Sequence, residues 1–584
     1  MTVSPAGLAL HSPSSCGVCV RAGSWWMIEA RPDAMILLKR VFARIDKADH
    51  DQVKIRRTPE VDALLQWFRE LYPFEMTATD LAELHRGAEH HRQDLRIVRE
   101  VAGGTYTPRA FDLAVPPRDY QRVAADLWLR MKSLLVADDL GTGKSVVAIT
   151  GLSAPETRPA LVVCLTHLPQ QWAAYIARFL PSARTHILAG TKPYDLAEVA
   201  RKQDAKAGRP DAGGHLPDIL ICPYSRLEGW AGKVAPMVRS VVYDEVQNLQ
   251  HHGTAKYRAA AYISEKATYR LALSATPVHN YGASYFSVME LVKPGALGTK
   301  DEFMREWATT DMEERKRRIK APRAFGLHLR ERGLMIRRTR KDVGRELPPL
   351  TIVPHTIDAD PAALDQMKGH AGQLARTILQ QTTGGRDGNF QKMRDSAEFE
   401  RILRQSTGIA KAPYIAAFVR LLVESGERPL VYLWHRAVYE IMAAELRDLS
   451  PAFFTGEESA RQKEDSLRRF KERETDILCM SLRAGAGVDG LQFCCRTVVI
   501  GELDWSPVAH DQGIGRVARD GQTDPVVAYF LLAEVGSDPT VADVCGAKRA
   551  NSEPIVTPAA KDLDLPKVDP DHVRRLAERY LGKA

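Results

Sequence analysis

Asp138 to Ser145 reads DDLGTGKS and stands between an apolar run, SLLVA at 133–137, and a helix-like stretch, SVVAIT at 145–150. A Gly-rich turn that leaves a strand and enters a helix aims consecutive backbone N–H groups and the positive helix end at one point, which suits a polyphosphate. Gly141 and Gly143 let the backbone wrap closely. Lys144 can reach β- and γ-phosphates as a mobile charge, and the Ser145 hydroxyl can take one position on Mg²⁺. The full phosphate-loop pattern has Gly where Asp138 stands, so an ordinary Gly turn is the alternative for this stretch alone.

A second group is YDEVQ, Tyr243 to Gln247, after a β-branched run. Ligands of parallel α/β sheets gather at the carboxyl ends of strands, so Asp244 and Glu245 are expected on the same edge as the loop. Asp244 suits a direct or indirect Mg²⁺ contact, and Glu245 suits a general base acting on water. A solvated acidic turn is the alternative. The third group is DQGIGRVARDGQ, Asp511 to Gln522. Arg516 and Arg519 are three apart, which on a helix puts both on one face. Paired guanidiniums can neutralise charge developing on a transferred phosphoryl group. A surface salt-bridge network would use the same pair.

The elements that must position these groups fall into two series. Short β-branched runs alternate with helical text from Pro116 to about 282 (SLLVA, PALVVCLT, THILAG, DILICPYS, RSVVYDE and RLALSAT), and again in RPLVYLWH, AFFTG, TDILCMS, RTVVIGELDW and PVVAYFLLAE. Such alternation predicts parallel sheets covered on both faces. The expected order is a poorly ordered leader (1–34, with Met27 or Met35 as alternative starts), an N-terminal accessory module (35–115), a first lobe (116–282), helical insertions and linker (283–411), a second lobe (412–535) and a tail (536–584). Met35–Ile45 reads as a strand, Val61–Leu71 as a helix, and 191–217 as a surface insertion. EERKRRIK (313–320) reads as a solvated helix face, with a DNA contact as the alternative, QTTGGRDGN (381–389) as Gly-containing text within the helical, charged region, and HVRRLAERYL (572–581) as a short helix in the tail.

The 584 residues exceed a single core, and a net charge of +8 is only a mild basic lean. No uninterrupted apolar run of the ~18 residues that span a bilayer is present, and the N-terminus lacks signal-peptide form. Of eight Cys, only Cys16 and Cys19 have chelating spacing, and no second pair follows to complete a zinc site. A reducing cytoplasm fits this usage.

The ordered set DYQ (119–121), DDLGTGKS, PQQW (169–172), YDEVQ, LSATPVHN (273–280), LMIRRTRKDVGRELPP (334–349), SLRAGAGVDGLQ (481–492), LDWSP (503–507) and QGIGRVARDGQ resembles the Swi/Snf family of superfamily-two helicase-like ATPases, over about residues 116–535. It looks most like small stand-alone bacterial or phage members, akin to the HepA and annealing-helicase branches. The resemblance implies an α/β protein of two RecA-like parallel-sheet lobes, with helical insertions between them and a small accessory module. It implies ATP and Mg²⁺, held by Gln121 at the adenine, by Asp139, Leu140, Gly141, Thr142, Gly143, Lys144 and Ser145 at the phosphates, and by Ser145 and Asp244 at the metal. Glu245 would be the base and Arg516 and Arg519 the fingers. Gln247, Ser274, Ala275, Thr276 and Gln512 would couple nucleotide to DNA, with Thr166, Ser225, Arg337, Arg338 and Ser481 at the DNA or the lobe junction. Two departures stand out: Gln247 replaces the usual His, and AGAGVDG replaces the usual Gly-Gly and Asn.

The expected activity is DNA-dependent ATP hydrolysis with translocation on duplex or forked DNA, without sequence preference and without obligatory strand separation. The expected setting is a cytoplasmic monomer of a bacterial or phage-infected cell, with no membrane partner and any protein partner unknown. Rivals are an unwinding helicase stimulated by single-stranded DNA or RNA, and a non-hydrolysing DNA clamp.

Overall fold

The computed structural model describes residues 15–42, 45, 52–206, 216–277, 282–309, 318–344, 348–366, 386–482 and 488–545. Strands β1 (Gly17–Ala22), β2 (Trp25–Ala30), β3 (Gln52–Arg56) and β4 (Phe74–Glu75) form a four-stranded sheet in the order β3-β2-β1-β4. Helices α1 (Pro32–Val41), α2 (Pro59–Leu71) and α3 (Ala78–Ala102) accompany it. The accessory module therefore begins within the expected leader. The stretch read as a strand from Met35 is mostly helix, because Pro32 opens it and Ala34, Met35 and Leu38 recur at helical spacing on the buried side. Cys16 and Cys19 are buried in this core as free thiols, and burial pushes the Cys19 thiol well up. Val98 of α3 packs into the core of the first lobe, and Arg332 of that lobe pairs with Glu60 of α2.

The first lobe is a seven-stranded sheet, all of whose pairs are parallel. It comprises β5 (Ser133–Val136), β6 (Ala160–Cys164), β7 (Thr185–Ile187), β8 (Ile219–Pro223), β9 (Ser240–Asp244), β10 (Tyr269–Leu273) and β11 (Met335–Ile336), in the order β11-β5-β10-β9-β6-β8-β7. Strands β5, β6 and β8 are buried along their whole length, which is why their sequences are continuous apolar runs. Because every strand runs the same way, the segments leaving β5, β6, β8, β9, β10 and β11 emerge on one edge.

Strand β11 lies beyond the boundary expected at 282. The chain leaves the first sheet, forms helices Gly282–Val292, Lys300–Trp307 and Pro322–Glu331, and returns to pair Met335 with Leu135 and Ile336 with Val136. Within the expected surface insertion, the helix Leu196–Lys206 is likewise packed onto the first lobe, with Leu196 in that lobe's core, Ala200 buried and Arg184 on Asp204 at 3.1 Å.

The second lobe is a six-stranded parallel sheet of β12 (Leu350–Thr356), β13 (Pro429–Leu433), β14 (Ala452–Phe454), β15 (Leu478–Ser481), β16 (Thr497–Ile500) and β17 (Val526–Leu532), in the order β12-β17-β16-β13-β15-β14. It too oversteps its expected limits. β12 comes from the predicted linker, and Asp538, beyond 535, forms a buried ion pair with Lys411 at 2.6 Å. One helical segment, Glu398–Glu424, has the length and apolar content of a bilayer span, but Ile402, Ala412, Ile415 and Val419 are buried in this lobe. HVRRLAERYL, Glu313–Arg317 of EERKRRIK and residues 381–385 of QTTGGRDGN lie outside the described residues, as do residues 1–14 of the leader and 207–215 of the insertion.

Candidate active site

The loop from β5 to the helix α5 (Lys144–Leu152) carries the polyphosphate pattern. Gly141 and Gly143 both have φ of 79°, a left-handed conformation that strains any residue with a Cβ. At Gly143 the need is doubled, because a Cβ there would sit 2.6 Å from Gln121 Nε2. Helix α4 (Asp119–Met131) delivers Gln121 to the back of the loop. Its Oε1 accepts from the Arg118 N–H at 3.0 Å and its Nε2 donates to the Thr142 carbonyl at 3.1 Å. The Tyr120 hydroxyl donates to the same carbonyl at 2.7 Å. Both polar ends of Gln121 are thus engaged in supporting the loop. Lys144 is turned inward, donating to the Asp138 and Asp139 carbonyls at 2.9 and 3.0 Å. Burial lowers its pKa, opposed by the charges of Glu245 and Asp138.

Asp138, which replaces the first Gly of the loop pattern, is fully buried and ion-paired with Arg338 at 2.5 Å. Arg338 also donates to the Tyr120 carbonyl and lies over the Tyr120 ring, 5.2 Å from its centroid. Arg337 pairs with Asp139 at 2.6 Å and donates to the Ala137 carbonyl at 2.7 Å. The expectation that Arg337 and Arg338 contact DNA is therefore corrected. Strand β11 lies beside β5, so the residues after it fall on the phosphate loop, and both guanidiniums are almost wholly enclosed there.

Strand β9 ends at Asp244. The next residue, Glu245, has φ of 53°, uncommon for a residue with a side chain, and turns the chain into the short helix Val246–Leu249. The indole N–H of Trp172, from α6 (Pro169–Phe179), donates to Asp244 Oδ2 at 2.9 Å. Burial, reinforced by the charge of Glu245, pushes the Asp244 carboxyl up to about 7. A carboxyl in that state gains its charge when a cation is brought beside it. The Gln247 side chain donates to Glu245 Oε2 at 2.5 Å, within its own turn, and the buried Gln247 Oε1 has no partner among the described residues. Ser274 follows β10 with its N–H on the Val136 carbonyl at 3.1 Å, and its hydroxyl accepts from the Thr276 N–H at 3.0 Å. Ala275 lies between them, so these coupling candidates stand beside the strand that leads into the loop.

From the second lobe, Arg516 and Arg519 reach the same cleft, though not from a helix. Helix Pro507–Ile514 ends before them and both stand in the turns that follow. Burial lowers the Arg516 pKa, while the nearby Tyr432 and Glu245 oppose it. Arg519 pairs with Asp489 at 3.2 Å, and a Cβ at Gly141 would lie 3.7 Å from Arg519 Cβ. Two longer contacts also cross the lobes: Arg118 with Asp520 at 3.5 Å, and the Tyr175 hydroxyl with Asp489 at 3.5 Å.

These segments enclose a cavity of about 830 Å³ lined by Gln121, Leu140, Gly141, Gly143, Lys144, Ser145, Asp244 and Glu245 from one lobe and Gln512, Arg516 and Arg519 from the other. A phosphate cradle, two carboxylates and two guanidiniums in one cleft can bind a polyphosphate, orient water and neutralise a departing phosphoryl charge. Trp172 and Asp489 belong to this machinery by contact. The PQQW motif marked the first without revealing its hydrogen bond, and AGAGVDG marked the second only as a departure. Residues 483–487 of that motif and Val278–Asn280 of LSATPVHN lie outside the described residues.

Of the hydroxyls expected at DNA, Thr166 and Ser225 are exposed just beyond β6 and β8, with their oxygens 3.3 Å apart. Ser481, at the end of β15, lines a separate cavity of about 410 Å³ with Trp434, Tyr439 and Phe453.

A SNF2-related domain model matches residues 48–405, and a helicase conserved C-terminal domain model matches residues 413–521. The CHD3-type chromatin-remodeling factor PICKLE of Arabidopsis thaliana is 21% identical over 447 residues, covering 69% of this chain and 31% of that protein. The SWI/SNF-related matrix-associated actin-dependent regulator of chromatin subfamily A-like protein 1 of Xenopus tropicalis is 24% identical over 427 residues, with 69% and 41% covered. The DNA annealing helicase and endonuclease ZRANB3 of Mus musculus is 22% identical over 417 residues, with 68% and 37% covered. The chain thus spans well under half the length of these curated relatives. Among solved structures, the Sulfolobus solfataricus SWI2/SNF2 ATPase core in complex with dsDNA is 19% identical, with 77% of this chain and 96% of that one covered and a TM-score of 0.35.

Proposed function

The chain belongs to the SNF2 family of helicase-like ATPases, and from that premise we propose that it hydrolyses ATP in the cleft between its lobes to drive translocation along duplex or forked DNA. The observation that carries this reading is the single cavity lined by the phosphate loop, Asp244 and Glu245 on one side and Arg516 and Arg519 on the other. Loop N–H groups and Lys144 bind the phosphates, with Lys144 leaving its loop carbonyls to do so. Glu245 takes the proton of the attacking water. Arg516 and Arg519 complete the site only while the lobes are closed, so turnover is linked to lobe motion.

Ser145 and Asp244 fit Mg²⁺: both are oxygen donors lining the cleft, and burial beside Glu245 raises the Asp244 carboxyl to about 7, so that a cation at this place would favour its charged form. When bound, the ion would neutralise phosphate charge. Trp172 keeps Asp244 aimed. Trp172→Phe is expected to lower kcat about 10- to 100-fold, in line with the ~1.5–3 kcal/mol of a hydrogen bond to a charged group. Steady-state hydrolysis at saturating ATP checks it, and a variant within twofold of the parent would remove Trp172 from that role.

DNA as the activating polymer is supported by family membership, by relatives named as acting on DNA or chromatin, and by the exposed Thr166–Ser225 pair on the edge of the first sheet. Hydroxyls contact phosphate without reading sequence, as movement along arbitrary DNA requires. The test is ATP hydrolysis with no nucleic acid, single-stranded DNA, duplex DNA, forked DNA and RNA at one salt concentration. Strongest stimulation by duplex or forked DNA is expected. Stimulation by single strands or RNA alone would replace this reading with an unwinding helicase, and silence with all of them would remove it.

A further inference from the structure

Phe493 is the most exposed large apolar side chain among the described residues, at 72%. It lies at the rim of the cleft rather than on an outer face, and lines the same cavity as the phosphate loop. Exposing a phenyl ring opposes the hydrophobic effect, and a ring held in the open beside a ligand site can be covered by the ligand.

The backbone holds it there. Phe493 ends the short helix Leu491–Phe493, and its N–H donates to the Gly490 carbonyl at 3.3 Å. The Gln492 side chain before it donates to the Asp520 carbonyl at 3.3 Å. Gly521, with φ of 91°, lies against the ring, and a Cβ there would meet Phe493 Cε1 at 2.6 Å.

The ring's place along the cleft follows from three consecutive residues of the second lobe. Arg519 faces Gly141 of the phosphate loop, Asp520 pairs with Arg118, and Gly521 carries Phe493. Arg118 caps α4 and its N–H is held by Gln121. Phe493 therefore stands toward the α4 end of the cavity, where the lobe 1 wall is Val115, Pro116 and Gln121. There Val115 and Pro116 stand beside the polar side chains of Arg118 and Gln121, on the far side of Arg118 from the groups that cradle phosphate.

We propose that Phe493 is the surface on which the purine base of the nucleotide stacks, so that the second lobe contributes to base binding as well as to phosphate chemistry. The inference rests on the ATP reading of the cleft. It makes base recognition a property of the closed lobes, since the base contacts would come from both. Tyr-, Trp- or Phe-to-base stacking is tolerant of which base is present because every base has a π-face.

Three probes separate the base from the phosphates: ATP, GTP and inorganic tripolyphosphate, used with the full chain and its most stimulating DNA. Phe493→Ala is expected to raise KM for ATP and for GTP about tenfold, the loss of one base–aromatic stack. KM rather than kcat carries the change, and the Ki of tripolyphosphate as a competitor stays within twofold. Phe493→Trp restores the parent KM, and its fluorescence responds to ATP but not to tripolyphosphate. A KM for Phe493→Ala within twofold of the parent overturns the proposal, as does a parallel rise in KM and tripolyphosphate Ki. A parent chain that hydrolyses ATP while Phe493→Ala is unaffected leaves the cleft reading intact; a parent that binds neither ATP nor tripolyphosphate removes both.

Discussion

Replacing Glu245 with Gln is expected to lower kcat for ATP by ~10²–10⁴, the range of a lost general base, while ATP and DNA affinities stay within about threefold. Gln fills the same space and keeps an oxygen able to accept from Gln247, so the left-handed turn at Glu245 and the helix after it have no reason to move. What disappears is the basic carboxylate at the end of β9. The change also removes the negative neighbour that helps raise Asp244, so the Asp244 carboxyl falls below its value of about 7 and is charged over a wider pH range. Cation binding should then be as good or better, which separates a chemical defect from a binding one. Single-turnover hydrolysis with nucleotide and DNA binding measured in parallel checks this. Normal turnover in the variant would remove Glu245 as the base.

The sheets were legible where burial dictates composition. Strands β5, β6, β8, β9 and β10 lie inside a covered parallel sheet and read as short, largely apolar runs, as do β13, β15 and β16 in the second lobe. Two strands escaped for opposite reasons. β11 has two residues, too few for any periodicity, and is held by its register with β5. β12 is an edge strand, mostly exposed, and contains Pro354, so its text resembles a linker. Both errors have one consequence, a linker drawn too long at each end. Met35–Ile45 failed because a short apolar run does not by itself separate strand from helix.

At the site, the residue types proposed to do chemistry were legible because that chemistry limits the choice. The loop glycines, Lys144, Asp244, Glu245, Arg516 and Arg519 all reach one cavity. The supporting contacts were not. Trp172 and Asp244 are 72 positions apart, and Arg338 lies 200 positions from Asp138. Only the folded sheet, which places β11 and α6 beside the loop and the acidic strand, creates those pairs. The helical spacing assigned to Arg516 and Arg519 gave the correct cleft from an incorrect premise, because the turn after Ile514 brings both to it.

Arg338→Ala is expected to raise KM for ATP roughly 100-fold, since removing one partner of a buried ion pair costs about 3–5 kcal/mol and the cost falls on the phosphate loop. Asp138 is fully buried, and its carboxylate takes the Arg338 backbone N–H at 2.9 Å and guanidinium bonds at 3.1 and 2.5 Å. The carbonyl of the same residue holds Lys144, so an uncompensated charge at Asp138 displaces the cation meant for the phosphates. Arg337→Ala should cost less, because its partner Asp139 keeps 28% of its side chain in solvent and the Arg340 N–H at 3.0 Å. A double-mutant cycle with Asp138→Asn and Arg338→Met tests the mechanism: with both charges gone, much of the lost ATP affinity should return, as a coupling energy of opposite sign to the single losses. DNA affinity and its salt dependence should not move in any of these variants. Were Arg338 instead a DNA contact, the result would invert, with a weaker and less salt-sensitive grip on DNA and an unchanged KM.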